Sequence, residues 1–142
     1  MKRIFKHLAV LLTMVLLATT CISITSLAAE KVKYPPKADI ENKIFTQHMK
    51  GTFTGVVNGE TKTFEDDEEL PLCIMASDIV ANYSEKTGQC SYTWDFEGVK
   101  VPVTISFSYD KKGNIVYTAP FVYTTEQFSF NGSMSGAIHN TQ

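Results

Sequence analysis

Strict alternation of apolar and polar residues between positions 101 and 123 constrains the fold of this 142-residue chain more than any other feature. The segment reads VPVTISFSYDKKGNIVYTAPFVY, with alternating residues on both sides of a five-residue DKKGN loop. Because successive side chains of a strand point to opposite faces, the pattern predicts two antiparallel strands that share one apolar, aromatic face. The expected register pairs Tyr109 with Ile115, Phe107 with Tyr117, Ile105 with Ala119 and Val103 with Phe121.

The same period of two recurs near both ends of the region that follows residue 49. In KGTFTGVVNGETKTF, Asn58-Gly59 suits a type I′ turn and therefore predicts a hairpin. Its register places Phe53 opposite Phe64, Gly55 opposite Lys62 and Val57 opposite Glu60. The segment FSFNGSMSGAI alternates without a break, which predicts one continuous strand over 128–138.

Residues 65–96 predict a loop followed by a second hairpin. Five consecutive acids, Glu65 to Glu69, are expected to form a solvated loop. Residues 72–76 suit a further short strand. The segment 78–96 suits a hairpin with a four-residue loop at 85–88, pairing Tyr83 with Cys90, Ala81 with Tyr92 and Ile79 with Trp94.

These segments together predict an all-β fold of seven or eight antiparallel strands in a meander. An up-and-down barrel is preferred over a β-sandwich, because the connections are short and a closed sheet exposes no edge. All thirteen aromatic residues from Phe53 onward fall on one face in this arrangement. Gly55, Gly132 and Gly136 are expected on the same face, where they leave space. Whether that interior is a ligand pocket or a filled core stays open.

The first 48 residues predict a leader and a connecting segment. Lys2, Arg3 and an apolar run over 8–18 are typical of a secretory signal peptide, with residues 1–28 removed on export. Residues 29–48 suit a linker and a short helix beginning near Asp39, although a backward extension of the first strand from Met49 is the rival. Residues 49–139 then form a single domain. The predicted location is extracellular or in the cell envelope.

Charge excludes some classes of partner. The leader holds three of the thirteen basic residues, so the mature chain has ten lysines against fifteen acids and a net charge of −5. Arg3 is the only arginine. Nucleic-acid recognition depends on basic surfaces and arginine contacts, so nucleic acid is excluded as a partner. An anionic membrane surface is an equally poor partner, and no stable membrane insertion is expected.

Few residues suit catalysis or metal binding. The mature cysteines, Cys73 and Cys90, are expected to form a disulfide, since exported chains commonly pair their cysteines. His48 and His139 are the histidines of the mature chain, and neither belongs to a recognisable catalytic motif. We therefore expect no enzyme, no cofactor and no metal site. A small hydrolase or isomerase that uses these histidines is the weakest alternative.

The aromatic face carries the functional prediction. An eight-stranded barrel can hold one small ligand, so the preferred function is a secreted β-barrel binding module for a small apolar or aromatic molecule. The alternative is a secreted protein-interaction domain, of inhibitor or adhesin type, with a filled core and no ligand. The candidate ligand-binding residues are Lys62, Tyr92, Trp94, Phe107, Tyr117 and Phe121.

Overall fold

One six-stranded antiparallel sheet dominates the protein. The computed structural model describes residues 31–96 and 98–140, and the compact unit begins at Lys33. Its elements are a 3₁₀ turn at Lys37–Asp39 and the strands β1 (Ile44–Val57), β2 (Glu60–Ile74), β3 (Gln89–Phe96), β4 (Val99–Tyr109), β5 (Ile115–Thr124) and β6 (Phe128–Ala137). The all-β, antiparallel prediction is confirmed. The described residues contain six strands, however, and not seven or eight. None of their helices has the length and apolarity needed to cross a bilayer.

The strand order β2-β1-β6-β5-β4-β3 leaves the sheet open. The first and last strands, β1 and β6, pair with each other in the middle of the sheet. Within the described residues β2 pairs only with β1, and β3 pairs with β4. These two strands are therefore sheet edges. The preferred barrel is not confirmed, and neither is a two-sheet sandwich.

The β1–β2 hairpin has the predicted register. Phe53 lies opposite Phe64, and Gly55 lies opposite Lys62. Asn58 and Gly59 adopt φ angles of 54° and 79°, which are the left-handed conformations that a type I′ turn requires. The local turn signal therefore determined this hairpin by itself.

The acidic run was expected to form a loop but instead lies within β2. Thr52 of β1 lies opposite Glu65, and the pairing continues without a break to Gln47 and Leu70. β1 provides a backbone partner throughout, and β2 is an edge strand with most of its side chains exposed. Carboxylates can therefore extend into water from both faces of the strand. The predicted short strand over 72–76 is the end of β2.

The prediction of a short helix before residue 49 is also wrong. Only the 3₁₀ turn is helical in this segment, and β1 starts at Ile44, so the rival extension of the strand is correct. Phe45 is completely buried and lies opposite Cys73 of β2. Burial of the Phe45 ring and pairing with β2 outweigh a local helical spacing of apolar residues.

For the second predicted hairpin, the loop at 85–88 is confirmed but the strand pairing before it is wrong. A bridge between Ser84 and Gln89 closes the four-residue loop at 85–88. Beyond that bridge β3 pairs with β4, so that Cys90 lies opposite Ile105 and Trp94 opposite Val101. Residues 75–88 instead form turns over the inner face of the sheet, with Val80 fully buried. We name this stretch the covering segment.

The segment that opened the sequence analysis forms β4 and β5, and half of its register is observed. Tyr109 pairs with Ile115 and Phe107 with Tyr117, as predicted. The described β4–β5 ladder has four residue pairs and ends where Ser106 lies opposite Thr118. The other two expected pairs, Ile105 with Ala119 and Val103 with Phe121, are not part of it. The predicted continuous strand is confirmed as β6.

Candidate functional site

The strand pairing places twelve of the thirteen aromatic residues from Phe53 onward on the inner face of the sheet. For example, Phe64, Phe53, Phe130 and Tyr123 form one row across β2, β1, β6 and β5. The thirteenth aromatic, Tyr83, lies in the covering segment and packs edge-to-face on Phe107, with ring centroids 5.6 Å apart. The predicted common face is therefore present.

One half of this face is a filled core. The Phe45 ring lies 6.0 Å from the Phe107 ring and 5.7 Å from the Tyr117 ring, both in edge-to-face geometry. The covering segment adds Val80, and the Tyr83 hydroxyl donates a hydrogen bond of 2.8 Å to the Pro35 carbonyl oxygen. Burial raises the pKa of Tyr83 to about 12.

The inward-facing glycines do not leave a pocket. Atoms of the Phe130 ring lie 2.7 Å from where a Cβ would stand on Gly51 or Gly132, which face each other across β1 and β6. The Tyr117 ring lies equally close to such a position on Gly136. Aromatic rings thus cover the bare backbone of the neighbouring strand, as in other sheets that pair glycine with an aromatic residue. The space expected at these positions is occupied.

Strand β3 folds over the inner face and contacts β5 across β4. The Trp94 ring is 5.3 Å from the Phe121 ring, and the Phe96 ring is 5.5 Å from the Tyr123 ring. These contacts lie beyond the end of the four-pair β4–β5 ladder. β4 and β5 are thus no longer paired where the β3 aromatics contact β5.

A small apolar cavity of about 70 Å³, here named the inner cavity, lies beneath Trp94. It is lined by Gln47, Cys73, Ile74, Met75, Ile79, Trp94, Ile105, Tyr117, Ala119 and Met134. These residues come from all six strands and the covering segment. In a flat sheet the five strand spacings between β2 and β3 would amount to roughly 24 Å. A cavity this small touches both edges only because the sheet is strongly curled.

A wider cleft adjoins the inner cavity. This cleft, the Trp94 cleft, has a volume of about 440 Å³ and is lined by Gln47, Tyr92, Trp94, Asp95, Phe96 and Met134. Gln47, Trp94 and Met134 line both spaces. The Asp95 carboxylate accepts hydrogen bonds from the Lys100 ammonium and, second in effect, from the Gly98 backbone N–H, and these contacts lower its pKa. The cleft thus combines polar groups with an apolar floor.

The structure brings three of the six candidate ligand-binding residues into the linings of these two spaces, and a fourth packs on one of the three. Tyr92 lines the cleft, Trp94 lines both spaces, Tyr117 lines the inner cavity, and Phe121 packs on Trp94. Phe107 is 1 % exposed and belongs to the filled core. Lys62 is exposed in β2 near the Asn58-Gly59 turn, away from both lining sets.

Sequence reasoning missed Gln47, Met134 and Phe96 as lining residues. The helix expected before residue 49 would include Gln47, and helical spacing does not place this residue on the inner face of a sheet. Met134 and Phe96 were placed on the inner face by their alternation. Their proximity to Trp94, however, follows from the curl of the sheet, which has no local signal.

The predicted disulfide between Cys73 and Cys90 is not formed, and both residues are free thiols. Cys73 lies opposite Phe45 and beside Tyr117, whereas Cys90 lies opposite Ile105 in the other edge strand. A disulfide requires convergent Cβ atoms, which proximity in sequence does not guarantee. Burial raises the pKa of the Cys90 thiol to about 11, so this group is not an activated nucleophile.

The two histidines lie apart from the cleft lining. The His48 Nε2 atom lies 2.5 Å from Asp67 Oδ1 on the outer face, and this hydrogen bond lowers the Asp67 pKa. The backbone N–H of His139 donates to the Ile44 carbonyl oxygen. Among the described residues, no group of three or more histidine, cysteine or acidic side chains is arranged to hold a metal ion.

Comparison of the chain with protein families, with curated proteins and with solved structures finds no match.

Proposed function

We propose that this chain is a secreted binding module that holds a small apolar or aromatic molecule in the Trp94 cleft. One observation carries the proposal: the cleft and the inner cavity share Gln47, Trp94 and Met134 in their linings and so lie side by side. Small-molecule sites are commonly concave and mostly apolar, with a few polar groups that fix the orientation of the ligand.

Aromatic packing around Trp94 supports this proposal. The indole ring is held by Phe96 at 5.7 Å and Phe121 at 5.3 Å, both in edge-to-face geometry. A ring held in place by its neighbours loses little conformational entropy when a ligand stacks on it. Gln47 adds an amide that both donates and accepts hydrogen bonds.

The size of the two compartments favours a slender ligand. The inner cavity admits a short alkyl group or a single ring edge, whereas the cleft accommodates the rest of a small molecule. Export by the leader would place this site outside the cell or in its envelope. The proposed role is binding alone.

Trp94 makes the test direct because it is the only tryptophan of the chain. We expect benzyl alcohol, cyclohexanol or decylamine, none of which emits in the range of tryptophan, to shift or quench the Trp94 emission saturably when titrated separately. Tyr92→Ala should weaken binding about tenfold through the loss of a lining ring. Tyr109→Ala removes a ring from the same face outside the cleft lining and should leave affinity unchanged.

Two results would overturn the proposal. The first is that none of the three probes changes the Trp94 emission at millimolar concentration. The second is that Tyr92→Ala and Tyr109→Ala weaken binding equally, since the effect would then not come from the cleft.

A further inference from the structure

The free edge of β2 is long, regular and solvent-exposed. Eleven consecutive residue pairs join it to β1, from Gln47 opposite Leu70 to Val57 opposite Glu60. In an antiparallel edge strand, roughly every second residue directs its backbone N–H and C=O away from its one partner. β2 therefore offers a row of unpaired backbone groups that is long enough for another strand.

An apolar surface is also left uncovered at this edge. The Phe64 side chain is 51 % exposed at the end of the row that continues through Phe53 and Phe130. Phe53 and Phe130 are each flanked by paired strands on both sides, whereas Phe64 has one neighbour strand. An additional strand beside β2 would cover Phe64 with a cross-strand partner.

Charge selects the occupant of this edge. Asp66 and Glu68 project on the inner face of β2, and Glu65, Asp67 and Glu69 project on the outer face. Asp67 is paired with His48 and Lys50, and Glu65 accepts a hydrogen bond from Thr52. Among the described residues, the other three carboxylates make neither an ion pair nor a side-chain hydrogen bond.

A second copy of the chain is a poor partner for this edge. Pairing of two β2 edges would bring the acidic runs of the two copies together, and like charges on neighbouring strands are destabilising. A strand with lysine or arginine side chains would instead be attracted by the same carboxylates. Charged edge strands are a known protection against self-association, and here that protection leaves the edge open to a partner of opposite charge.

We propose that β2 is a strand-addition site for an extended peptide segment in which basic and apolar residues alternate. The backbone of the segment pairs with β2, its lysine or arginine side chains meet the carboxylates, and an apolar side chain covers Phe64. Because the acids stand on both faces, an alternating peptide meets carboxylates in either register, and the register that directs its basic side chains to the outer face also places an apolar side chain beside Phe64. This inference is independent of the small-ligand cleft.

Fluorescence anisotropy of labelled peptides tests the proposal at about 0.15 M salt, where exposed charges beyond about 8 Å are screened. The probe is an eight-residue peptide that alternates lysine and valine. Its comparators replace lysine with glutamate or carry an N-methyl group on every backbone nitrogen, which keeps the charge and removes all N–H donors. We expect the lysine peptide alone to bind and to slow hydrogen exchange of the backbone amides at 61–70.

Two matched triple variants localise the binding. Asp66→Asn, Glu68→Gln and Glu69→Gln together should weaken binding at least tenfold. Glu41→Gln, Asp78→Asn and Glu126→Gln remove the same number of acids elsewhere and should change affinity less than twofold. The proposal is wrong if the methylated peptide binds as well as the lysine peptide, if the two triple variants behave alike, or if exchange at 61–70 is unchanged. Tyr92→Ala, the cleft variant, should bind the peptide as the native protein does.

Discussion

At the scale of single residues, the Cys90 thiol makes stability depend on alkaline pH. Cys90 is 3 % exposed, and burial raises its pKa from an ordinary value of 9.0 to about 11. Below pH 9 the thiol is protonated in the folded and unfolded chains. Between pH 9 and pH 11 the unfolded chain loses this proton while the folded chain keeps it, so stability falls as pH rises.

We expect the free energy of unfolding to fall by about 2 kcal/mol from this thiol between pH 8 and pH 11, since one pKa unit corresponds to about 1.4 kcal/mol. Urea unfolding under reducing conditions measures it. Cys90→Ala is the control, because it lacks the thiol and keeps the largest part of the Tyr83 contribution, since the pKa of Tyr83 is raised chiefly by burial. Equal pH dependence of the two proteins would contradict the assignment.

At the scale of elements, β1 and β6 pack closely because glycine lines their contact. A Cβ on Gly136 would overlap the Thr46 carbonyl oxygen, whereas a Cβ on Gly55 would have its nearest contact with an atom of the Phe53 ring at 3.1 Å and its other contacts at 3.4 Å or more. The Thr46 hydroxyl also accepts a hydrogen bond of 3.0 Å from the Ala137 backbone N–H. The backbone at Gly136 therefore has little room to shift.

Gly136→Ala should destabilise the protein by about 2–3 kcal/mol, as overpacking against a fixed backbone does. Gly55→Ala is the matched control and should cost less than about 1 kcal/mol, because a ring tip can move aside. Urea denaturation midpoints at pH 7 compare the two variants. If both variants have similar stability, the inference that β1 and β6 leave no room for a side chain at Gly136 is wrong.

The strands also show which structural features local sequence patterns predict and which they do not. Alternation predicted the inner face of every strand from Phe53 onward, including Phe64 in a stretch otherwise dominated by charge. It failed to predict that the acids continue the strand, because charge indicates solvent exposure, and an edge strand satisfies that requirement as well as a loop does.

At the scale of the whole molecule, the covering segment completes the core that the open sheet leaves exposed. Val80 is fully buried together with Ile40, Phe45 and Phe107 in one cluster. These residues come from the segment before β1, from the covering segment, from β1 and from β4. The core is therefore assembled from parts of the chain that are distant in sequence.

Val80→Ala should lower the free energy of unfolding by about 2 kcal/mol, through the lost burial of two methyl groups and the cavity that remains. Val122→Ala removes the same atoms from a side chain that is 58 % exposed in β5 and should change stability by less than about 0.5 kcal/mol. Thermal and urea unfolding of both variants provide the measurement. Equal effects would show that the covering segment is not part of the core.

The sequence by itself determined the strand faces, the Asn58-Gly59 hairpin, the 85–88 loop and the continuity of β6. Each of these depends on interactions within a few residues or between the two arms of one hairpin, where alternation and turn chemistry are sufficient. The candidate residues Tyr92, Trp94, Tyr117 and Phe121 were placed on the inner face for the same reason.

Only the tertiary structure decided that the covering segment packs over the sheet and does not pair with β3 as a strand, that rings cover the glycines, that Cys73 and Cys90 remain separate, and that Trp94 meets Gln47 and Met134. These outcomes depend on which distant segments meet when the sheet curls and the covering segment packs on it. Loop closure and burial determine those contacts, and a period of two is the same whichever neighbour a strand acquires.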